Sequence, residues 1–548
     1  MKRLVLATAL LSTIGLQAQV LNVNNKNGTY LPLDTKNTKE ITFNESDKIV
    51  TLTTSDGVQH CFYTEKVESL SPQTDKSKKL TYNLTPTVVF DNNDQSNFTE
   101  KTEVIPTDES DDNYGDYVEN WDAGTETEIV FSEDGVSVNG EKKETTHLTI
   151  KSTSSKVVYI VSGKCSNGSL KIYSEKKFQL VLTGLELTNP NGPAINIQTG
   201  KTVYFTIADN TTNNLCDGET YNAPVIGEDG EEEDQKGTLF SEGQLIFSGT
   251  GTLNVKSYGG HGICSDDYIR IRSGNINILA AAKDGFNTND IFRVGRMAAS
   301  APTITINATG DGIDCGKGNI LIEAGNITVN TVDDGMTTSY EEMADATIDP
   351  SITIRGGFVR VNTTGEKGMA IKANANYTQT GGIVQTMTEG NGSKGVNCEK
   401  DFIFTGGKLT AISEGTISSD SSSTAGIKTT GNCTITDGTI NISCTGEGAK
   451  AINSDGNVII DGGTTTLLSI GKNYNAGSDD KKTRAISALG YTQNGGTVLA
   501  KSYDKTIYTT ADITVTNGTL NAYSSSDYTL SKPAKQTGGW ILTKDGKE

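Results

Sequence analysis

The sequence predicts an all-β solenoid, a parallel β-helix, and three features support this prediction. A corner with glycine between a polar and an apolar residue recurs at Asp284-Gly285, Asp311-Gly312 and Asp334-Gly335, spaced 27 and 23 residues apart. Short alternating strands lie between the corners, and the chain of 548 residues contains 60 glycines. A repeat of about 20–35 residues indicates coils that bury their apolar faces by stacking on their neighbours.

The corner motif extends in both directions and predicts about a dozen coils. An antiparallel sandwich or a propeller is the alternative, but sandwiches do not place one identical corner residue in every repeat. The motif continues at His261-Gly262-Ile263, Lys367-Gly368-Met369, Lys394-Gly395-Val396, Ala425-Gly426-Ile427, Lys450-Ala451-Ile452, Arg484-Ala485-Ile486 and Lys505-Thr506-Ile507.

The segments between corners have the pattern of half-buried strands. Ile269-Arg270-Ile271 and Ile276-Asn277-Ile278 alternate apolar and polar residues on either side of Ser273-Gly274. Period-two alternation of β-branched residues predicts strands with one buried face, and glycine allows the tight corner between them.

The chain divides into five predicted segments. Lys2 and Arg3 precede an apolar stretch and a small residue, Ala18, which is the pattern of a signal peptide. The signal peptide predicts an exported protein that is periplasmic, surface-bound or secreted. No later apolar run is long enough to span a membrane, so we expect no membrane insertion. The segments are a signal peptide at 1–18, a small β module at 19–75, an acidic linker at 76–124, the β-helix at 125–527 and a C-terminal cap at 528–548.

Composition limits the partners. The formal net charge is −20, which argues against nucleic acid and favours cations such as Ca²⁺. Only 34% of residues are hydrophobic and 6% aromatic, which suits a thin solenoid. The sequence indicates no oligomeric state.

The three acidic corners form a candidate metal site. Equivalent side chains on stacked coils lie about 4.8 Å apart, where two carboxylates repel by about 3 kcal/mol at an effective dielectric of 20. A cation between them relieves this repulsion, whereas a solvated acidic edge is the alternative. His261 is expected to be structural. The candidate ligands are Asp284, Asn287, Asp311, Asp314, Asp333 and Asp334.

Basic residues replace aspartate at the later corners. A row of cations beside a metal site suits a polyanion, whereas solvated lysines neutralised by neighbouring acids are the alternative. The candidate carbohydrate-binding residues are Lys367, Lys394, Lys450, Arg484 and Lys505.

Several ordered segments resemble a known family. The segments 157–163, 180–197, 205–218 and 236–255, together with the repeated corners, are similar to exported bacterial carbohydrate-binding domains built on a right-handed parallel β-helix. Family-9 pectate lyases are distant fold relatives. The resemblance covers about 125–525 and implies Ca²⁺ bound by corner aspartates, with plant-type polysaccharide, pectic or cellulosic, as the ligand. This chain departs from that pattern after Asp334, where Lys or Arg replaces Asp.

The leading hypothesis is therefore a calcium-dependent, non-catalytic polysaccharide-binding protein. A pectate lyase is the first alternative, with Lys367 as the base and Lys372, Arg293 or Arg296 as rivals. A surface structural or adhesion protein, in which calcium serves only stability, is the second alternative.

Overall fold

The computed structural model describes most of the chain. The predicted signal peptide, 1–18, lies outside the described residues. Among the described residues no helix has the length and apolarity to cross a membrane. The described residues are 20–25, 30–34, 38–44, 49–54, 58–63, 67–72, 87–97, 105–111, 113–227, 230–295, 301–340, 345, 347–476 and 479–546.

Two compact units make up the chain. Unit 1 comprises Met1–Val89, Asp401–Thr405 and Thr410–Glu548. Unit 2 comprises Phe90–Lys400 and Gly406–Leu409. The strand Lys408–Ser413 is divided between them. The helical segments of the described residues are short: Asp94–Asn97, Tyr114–Asp116 and Val118–Asn120.

Parallel strands stacked coil on coil form unit 2, which confirms the predicted all-β parallel β-helix. A typical coil has three strands: Ile313–Cys315 on face 1, Ile320–Ile322 on face 2 and Asn326–Thr331 on face 3. Each pairs in parallel with its equivalent in the next coil, as Ile313 does with Met336. The strands of face 1 are His147–Ser152, Ser169–Ser174, Ile195–Gln198, Gly237–Ser241, His261–Ser265, Phe286–Thr288, Ile313–Cys315, Met336–Thr338, Met369–Ala373 and Lys394–Cys398.

The other two faces of unit 2 are equally regular. Face 2 contains Val203–Ile207, Leu245–Gly249, Ile269–Ile271, Phe292–Val294, Ile320–Ile322, Ile352–Ile354 and Tyr377–Gln379. Face 3 contains Thr212–Asp217, Thr252–Ser257, Asn275–Ala281, Thr303–Ala308, Asn326–Thr331, Phe358–Thr363 and Ile383–Thr388. The longer strands Glu126–Ser132, Val158–Cys165 and Phe178–Asn189 precede them, with Gly135–Val138 and Glu141–Lys143 added in antiparallel.

Close packing between faces explains the corner glycines. A Cβ on Gly312 would lie 2.2 Å from Val329 Cγ1 and 2.4 Å from the carbonyl oxygen of Gly335. Ile313 and Val329 are both fully buried. Glycine is therefore needed for the close approach of face 1 to face 3, and this contact fixes which way the neighbouring side chains point.

Unit 1 repeats the same pattern and includes the described N-terminal strands. The C-terminal strand Trp540–Lys544 pairs in parallel with Thr519–Ser524 and in antiparallel with Val58–Tyr63. The N-terminal strand thus covers the edge of the last parallel strand, which would otherwise expose unpaired backbone groups.

The strands of unit 1 follow three faces as well. Face 1 contains Ala425–Thr429, Lys450–Ser454, Arg484–Ala488 and Ile507–Thr509. Face 2 contains Phe402–Phe404, Cys433–Ile435, Val458–Ile460, Tyr491–Gln493, Ile513–Val515 and Lys535–Gln536. Face 3 contains Thr439–Cys444, Thr464–Ser469, Thr497–Ser502, Thr519–Ser524 and Trp540–Lys544. The strands of unit 1 outside these three faces are Val20–Asn25, Tyr30–Asp34, Thr38–Asn44, Ile49–Thr54, Val58–Tyr63, Val67–Pro72, Tyr474–Ala476 and Asp479–Lys481.

Residues 113–121 of the predicted acidic linker lie within unit 2, and we call them the strap. Arg270 and Arg272 lie on the outside of face 2, and their side chains are 1% and 0% exposed beneath the strap. Asp116 accepts a hydrogen bond from Arg270, and Glu119 binds both terminal nitrogens of Arg272 at 2.9 and 3.1 Å. The Tyr117 ring centroid lies 5.3 Å and 4.1 Å from the two guanidinium carbons.

Candidate functional site

The acidic corners lie in one register on face 1 of unit 2. Strand pairing aligns His261, Asp284, Asp311 and Asp334 on successive coils. The Asp284 Oδ1 accepts the backbone N–H of Asp311 at 2.9 Å, and the Asp311 Oδ1 accepts that of Asp334 at 2.9 Å. One oxygen of each carboxylate therefore joins neighbouring coils, which leaves the Oδ2 atoms for other partners.

The three Oδ2 atoms have different partners. The Asp284 Oδ2 lies 3.1 Å from His261 Nδ1 and accepts a hydrogen bond from Asn287 at 3.1 Å. The Asp334 Oδ2 forms an ion pair with Lys372 Nζ at 2.8 Å. Among the described residues, Asp311 Oδ2 has no hydrogen-bond partner. The middle coil thus carries the carboxylate oxygen that remains available.

Three carboxylates converge at this position. Oxygens of Asp311, Asp333 and Asp334 all lie within 4.8 Å of one another, so the group could hold a metal ion. Asp334 is buried and Asp333 is exposed. Burial, followed by the charges of Asp334, Asp284, Asp314 and Asp333, raises the pKa of Asp311 to about 8. Burial and then the charge of Asp334 also raise the pKa of Asp333.

The other predicted ligands form an adjoining hydrogen-bonded group. Asn287 donates to both Asp284 and Asp314, each at 3.1 Å, and the Ser339 hydroxyl donates to Asp314 at 2.8 Å. Burial raises the pKa of Asp314. Burial also opposes ionisation of Asp284, but the hydrogen bond and charge of His261 outweigh it and lower the pKa of that carboxyl. The six predicted residues therefore divide into two sets of three.

Of the five predicted basic residues, Lys367 lies outside the predicted register and Lys394 lies in it but is buried. Met369 N–H donates to Asp334 Oδ1 at 2.8 Å and pairs with Lys394, so Met369 occupies the register position assigned to Lys367. Lys367 is exposed two residues earlier, with a φ of 63°. Lys394 is in register but only 7% exposed, with its ammonium on the Gly392 carbonyl at 2.6 Å.

The other three basic residues share one register on face 1 of unit 1. Strand pairing aligns Ala425, Lys450 and Arg484, and the pairing of Ile486 with Ile507 places Lys505 next. Lys505 forms an ion pair with Asp527 at 2.5 Å. We call Lys450, Arg484 and Lys505 the basic register.

Two contacts of the acidic corners were not predicted from the sequence. His261 has a carboxylate partner, Asp284, which the alignment of their corner positions already implied. Lys372, a rival base in the lyase alternative, is the cation that contacts Asp334. Correct alignment of Met369-Ala370-Ile371 with Asp334-Gly335-Met336 would have placed Lys372 beside this site.

A second acidic group lies on other coils of unit 2. Oxygens of Asp234, Glu242 and Asp266 also lie within 4.8 Å of one another. Lys236 already contacts Asp234 at 2.8 Å and Asp266 at 2.7 Å, which makes this group less suited to a metal ion. Burial and then the charges of Asp266 and Asp234 raise the pKa of Glu242 to about 7. An adjoining groove of about 940 Å³ is lined by Tyr173, Glu242 and neighbouring residues.

The chain belongs to the family of carbohydrate-binding domain-containing proteins. The family profile matches residues 144–381, 303–473 and 429–528, which together make up more than half of the chain. The profile therefore covers the strands that carry both the acidic corners and the basic register.

The chain is similar to a carbohydrate-binding domain-containing protein and to one solved structure. A carbohydrate-binding domain-containing protein of Acetivibrio thermocellus is 28% identical over 155 residues, which are 28% of this chain and 52% of that protein. The chain thus spans about half the length of this relative. The solved structure of a polysaccharide lyase-like protein from C. thermocellum, as a gadolinium derivative, is 21% identical with a TM-score of 0.37. That match covers 51% of this chain and 97% of the solved chain.

Proposed function

We propose that the protein binds acidic, plant-type polysaccharide without cleaving it and that Ca²⁺ at the acidic corners supports this binding. The observation that carries the proposal is the convergence of Asp311, Asp333 and Asp334, with Asp311 Oδ2 free of a hydrogen-bond partner among the described residues. Membership of a carbohydrate-binding family supplies the ligand class. The signal-peptide pattern of residues 1–18 supports an exported protein that meets such polysaccharide outside the cytoplasm.

The donor set suits calcium. Ca²⁺ takes oxygen ligands at about 2.3–2.6 Å and tolerates irregular geometry with six to eight ligands. Oxygens within 4.8 Å of one another can share one such ion. Asp311, Asp333 and Asp334 would hold the ion, which when bound neutralises their mutual repulsion and offers coordination positions to a uronate carboxylate. Lys372 on Asp334 keeps part of that charge compensated without the ion.

The position of Lys372 argues against the lyase alternative. A general base must be unprotonated near neutral pH. Burial lowers the pKa of Lys372, but the charge and hydrogen bond of Asp334 outweigh it, and the pKa is raised above its ordinary value. Lys372 therefore stays protonated, and Lys367 lies outside the register of the acidic corners.

The direct test of the proposed function combines calorimetry with retention on polysaccharide. Calcium-free protein titrated with CaCl₂ should show saturable binding, and polygalacturonate should retain the protein in calcium but not in chelator. The ultraviolet absorbance of the soluble fraction should stay constant, because lysis of polygalacturonate creates an absorbing unsaturated product. No calcium binding and no retention would overturn the proposal. Rising absorbance that Lys372→Ala abolishes would establish the lyase instead.

The basic register should contribute to binding of a polyanion and not of a neutral glucan. Exposed charge pairs contribute about 0.2–1 kcal/mol each, and their field fades over about 8 Å at physiological salt. Replacing Lys450, Arg484 and Lys505 together by Gln should weaken polygalacturonate binding more than tenfold, and added salt should do the same to the unmodified protein. Lys367→Gln, an exposed lysine outside the register, is the matched control. Equal affinity of the triple variant and the unmodified protein would place the ligand on another face.

A further inference from the structure

We infer that Lys450 and Arg484 form a discrete pocket for one carboxylate of an acidic sugar. This inference rests on the proposed function and assigns a specific subsite to it within unit 1. Three observations lead to it: the partners of Lys450, an unsatisfied nitrogen of Arg484 and the surplus of positive charge around both.

Lys450 is a half-buried cation whose partners are neutral. Its ammonium lies 3.2 Å from the Ser423 hydroxyl and 3.5 Å from the Gly448 carbonyl. Among the described residues, no carboxylate lies within ion-pair distance of it. Withdrawing an ammonium from water without an anionic partner costs free energy, so this position favours an external anion.

Arg484 presents a second unsatisfied group beside Lys450 on the next coil. Its guanidinium carbon lies 3.6 Å from the ring centroid of Tyr508, a cation–π contact that restrains the side chain. The Nε of Arg484 is buried and makes no hydrogen bond, since the Asp504 Oδ2 lies 3.8 Å away. The side chain as a whole is 17% exposed, so a small ligand can reach the guanidinium although Nε itself is buried.

Positive charge prevails around the two residues. The preceding coil contributes Lys428, which contacts Asp455 at 2.6 Å, and the adjoining hairpin contributes Lys481. Burial, then Arg484, Lys481 and Lys428, lower the pKa of Lys450 to about 8, whereas Cys444 acts weakly in the opposite direction. Asp504 is the carboxylate that faces Arg484. An anion entering here would gain from both cations and raise the pKa of Lys450.

A sugar carboxylate matches this pair of cations. Arginine presents a planar fork that suits carboxylate geometry, and lysine supplies a compact charge. The Tyr508 ring beneath the guanidinium fixes the direction in which the fork points. A methyl-esterified sugar lacks the negative charge and should not bind. A sulfate ester is also an anion, so the test compares the binding of inorganic sulfate with the binding of digalacturonate.

The test uses the full chain in chelator with digalacturonate as the probe, so it does not depend on calcium or on a polymer. The affinity should fall about tenfold between pH 7 and pH 9, as expected for one required proton on a group with a pKa of about 8. Lys450→Met should lose at least tenfold in affinity, and Lys450→Arg should bind without this pH dependence because arginine stays charged. Lys535→Met, which removes an exposed lysine of unit 1 that is paired with Asp512 and lies outside the basic register, is the matched control and should change the affinity less than twofold.

Stability measurements separate this pocket from a purely structural role. Because the folded pKa of Lys450 is depressed, the unmodified protein should gain stability as the pH rises from about 8 toward 10.5. Lys450→Met should therefore raise the melting temperature at pH 7 while it abolishes binding.

A lowered melting temperature, or digalacturonate binding equal to that of the unmodified protein, would overturn the inference. Binding of inorganic sulfate with no binding of digalacturonate would overturn the assignment to carboxylate. Digalacturonate binding without calcium-dependent retention on polygalacturonate would leave the pocket established and the proposed function rejected.

Discussion

The substitution Asp311→Asn is expected to abolish the stabilisation of the protein by calcium and to stabilise the calcium-free protein near pH 8. Asp311 lies between the carboxylates of Asp284 and Asp334, and its pKa is raised to about 8. A folded pKa above the unfolded value means that stability is full at low pH and is lost as the pH rises toward 8. The loss at pH 7 is roughly 4 kcal/mol by linkage, and a bound cation would restore it. Asparagine keeps the oxygen that accepts the Asp334 N–H and removes the charge.

The measurement is thermal unfolding from pH 5 to pH 9 with calcium or chelator. The unmodified protein in chelator should lose stability as the pH rises, and calcium should restore it with release of about one proton per ion near pH 7. Calorimetry in buffers of different ionisation enthalpy counts that proton. The control is Asp349→Asn, because Asp349 is exposed and bonded to Ser351. A calcium response of Asp311→Asn equal to that of the control would rule out the acidic corners as the metal site.

The sequence predicted the acidic corners because each depends on a local steric requirement. Gly312 leaves room for Val329, and the same geometry recurs at Gly285 with Ile306 and at Gly335 with Val361. The glycine at each of these corners can therefore be read from the sequence and marks the position at which successive coils of face 1 align. The convergence of Asp311, Asp333 and Asp334 then follows from stacking alone.

The glycine pattern does not mark the corner one coil later, for a physical reason. Ala370 takes the place of the glycine, and its carbonyl oxygen would lie 2.5 Å from a Cβ on Gly335. Gly368 belongs instead to a turn in which its N–H donates to Gly365 and Lys367 adopts a positive φ. The sequence offered a Lys-Gly pair that resembles a corner, so Lys367 was assigned to the wrong register.

The strap could not be predicted because its partners are distant in sequence. Glu119 and Arg272 are 153 residues apart, and a polar, acidic segment carries no periodicity that indicates a packed position. Its acidic residues bind the buried arginines of face 2. The alternation of Ile269-Arg270-Ile271 indicated correctly that Arg270 faces outward, but not that another segment covers it.

We expect Asp116→Ala to be among the most destabilising single substitutions in unit 2. Arg270 is 1% exposed and Asp116 is 18% exposed, and Asp116 also accepts a hydrogen bond from the Tyr268 hydroxyl at 2.5 Å. Removing one partner of a buried ion pair costs about 3–5 kcal/mol, since the remaining charge loses its compensation in a low-dielectric position. Urea unfolding, monitored by circular dichroism, measures the change.

Two controls separate the ion pair from general effects of altering the strap. Asp122→Asn changes a carboxylate that is 81% exposed and paired with Lys156, so it should change stability little. The double variant Asp116→Leu with Arg270→Met replaces both charges by apolar side chains, which is often close to neutral in buried positions. It should recover most of the stability lost in Asp116→Ala. If Asp116→Ala is as stable as Asp122→Asn, the strap does not stabilise unit 2 through this pair, and face 2 must tolerate the arginines without it.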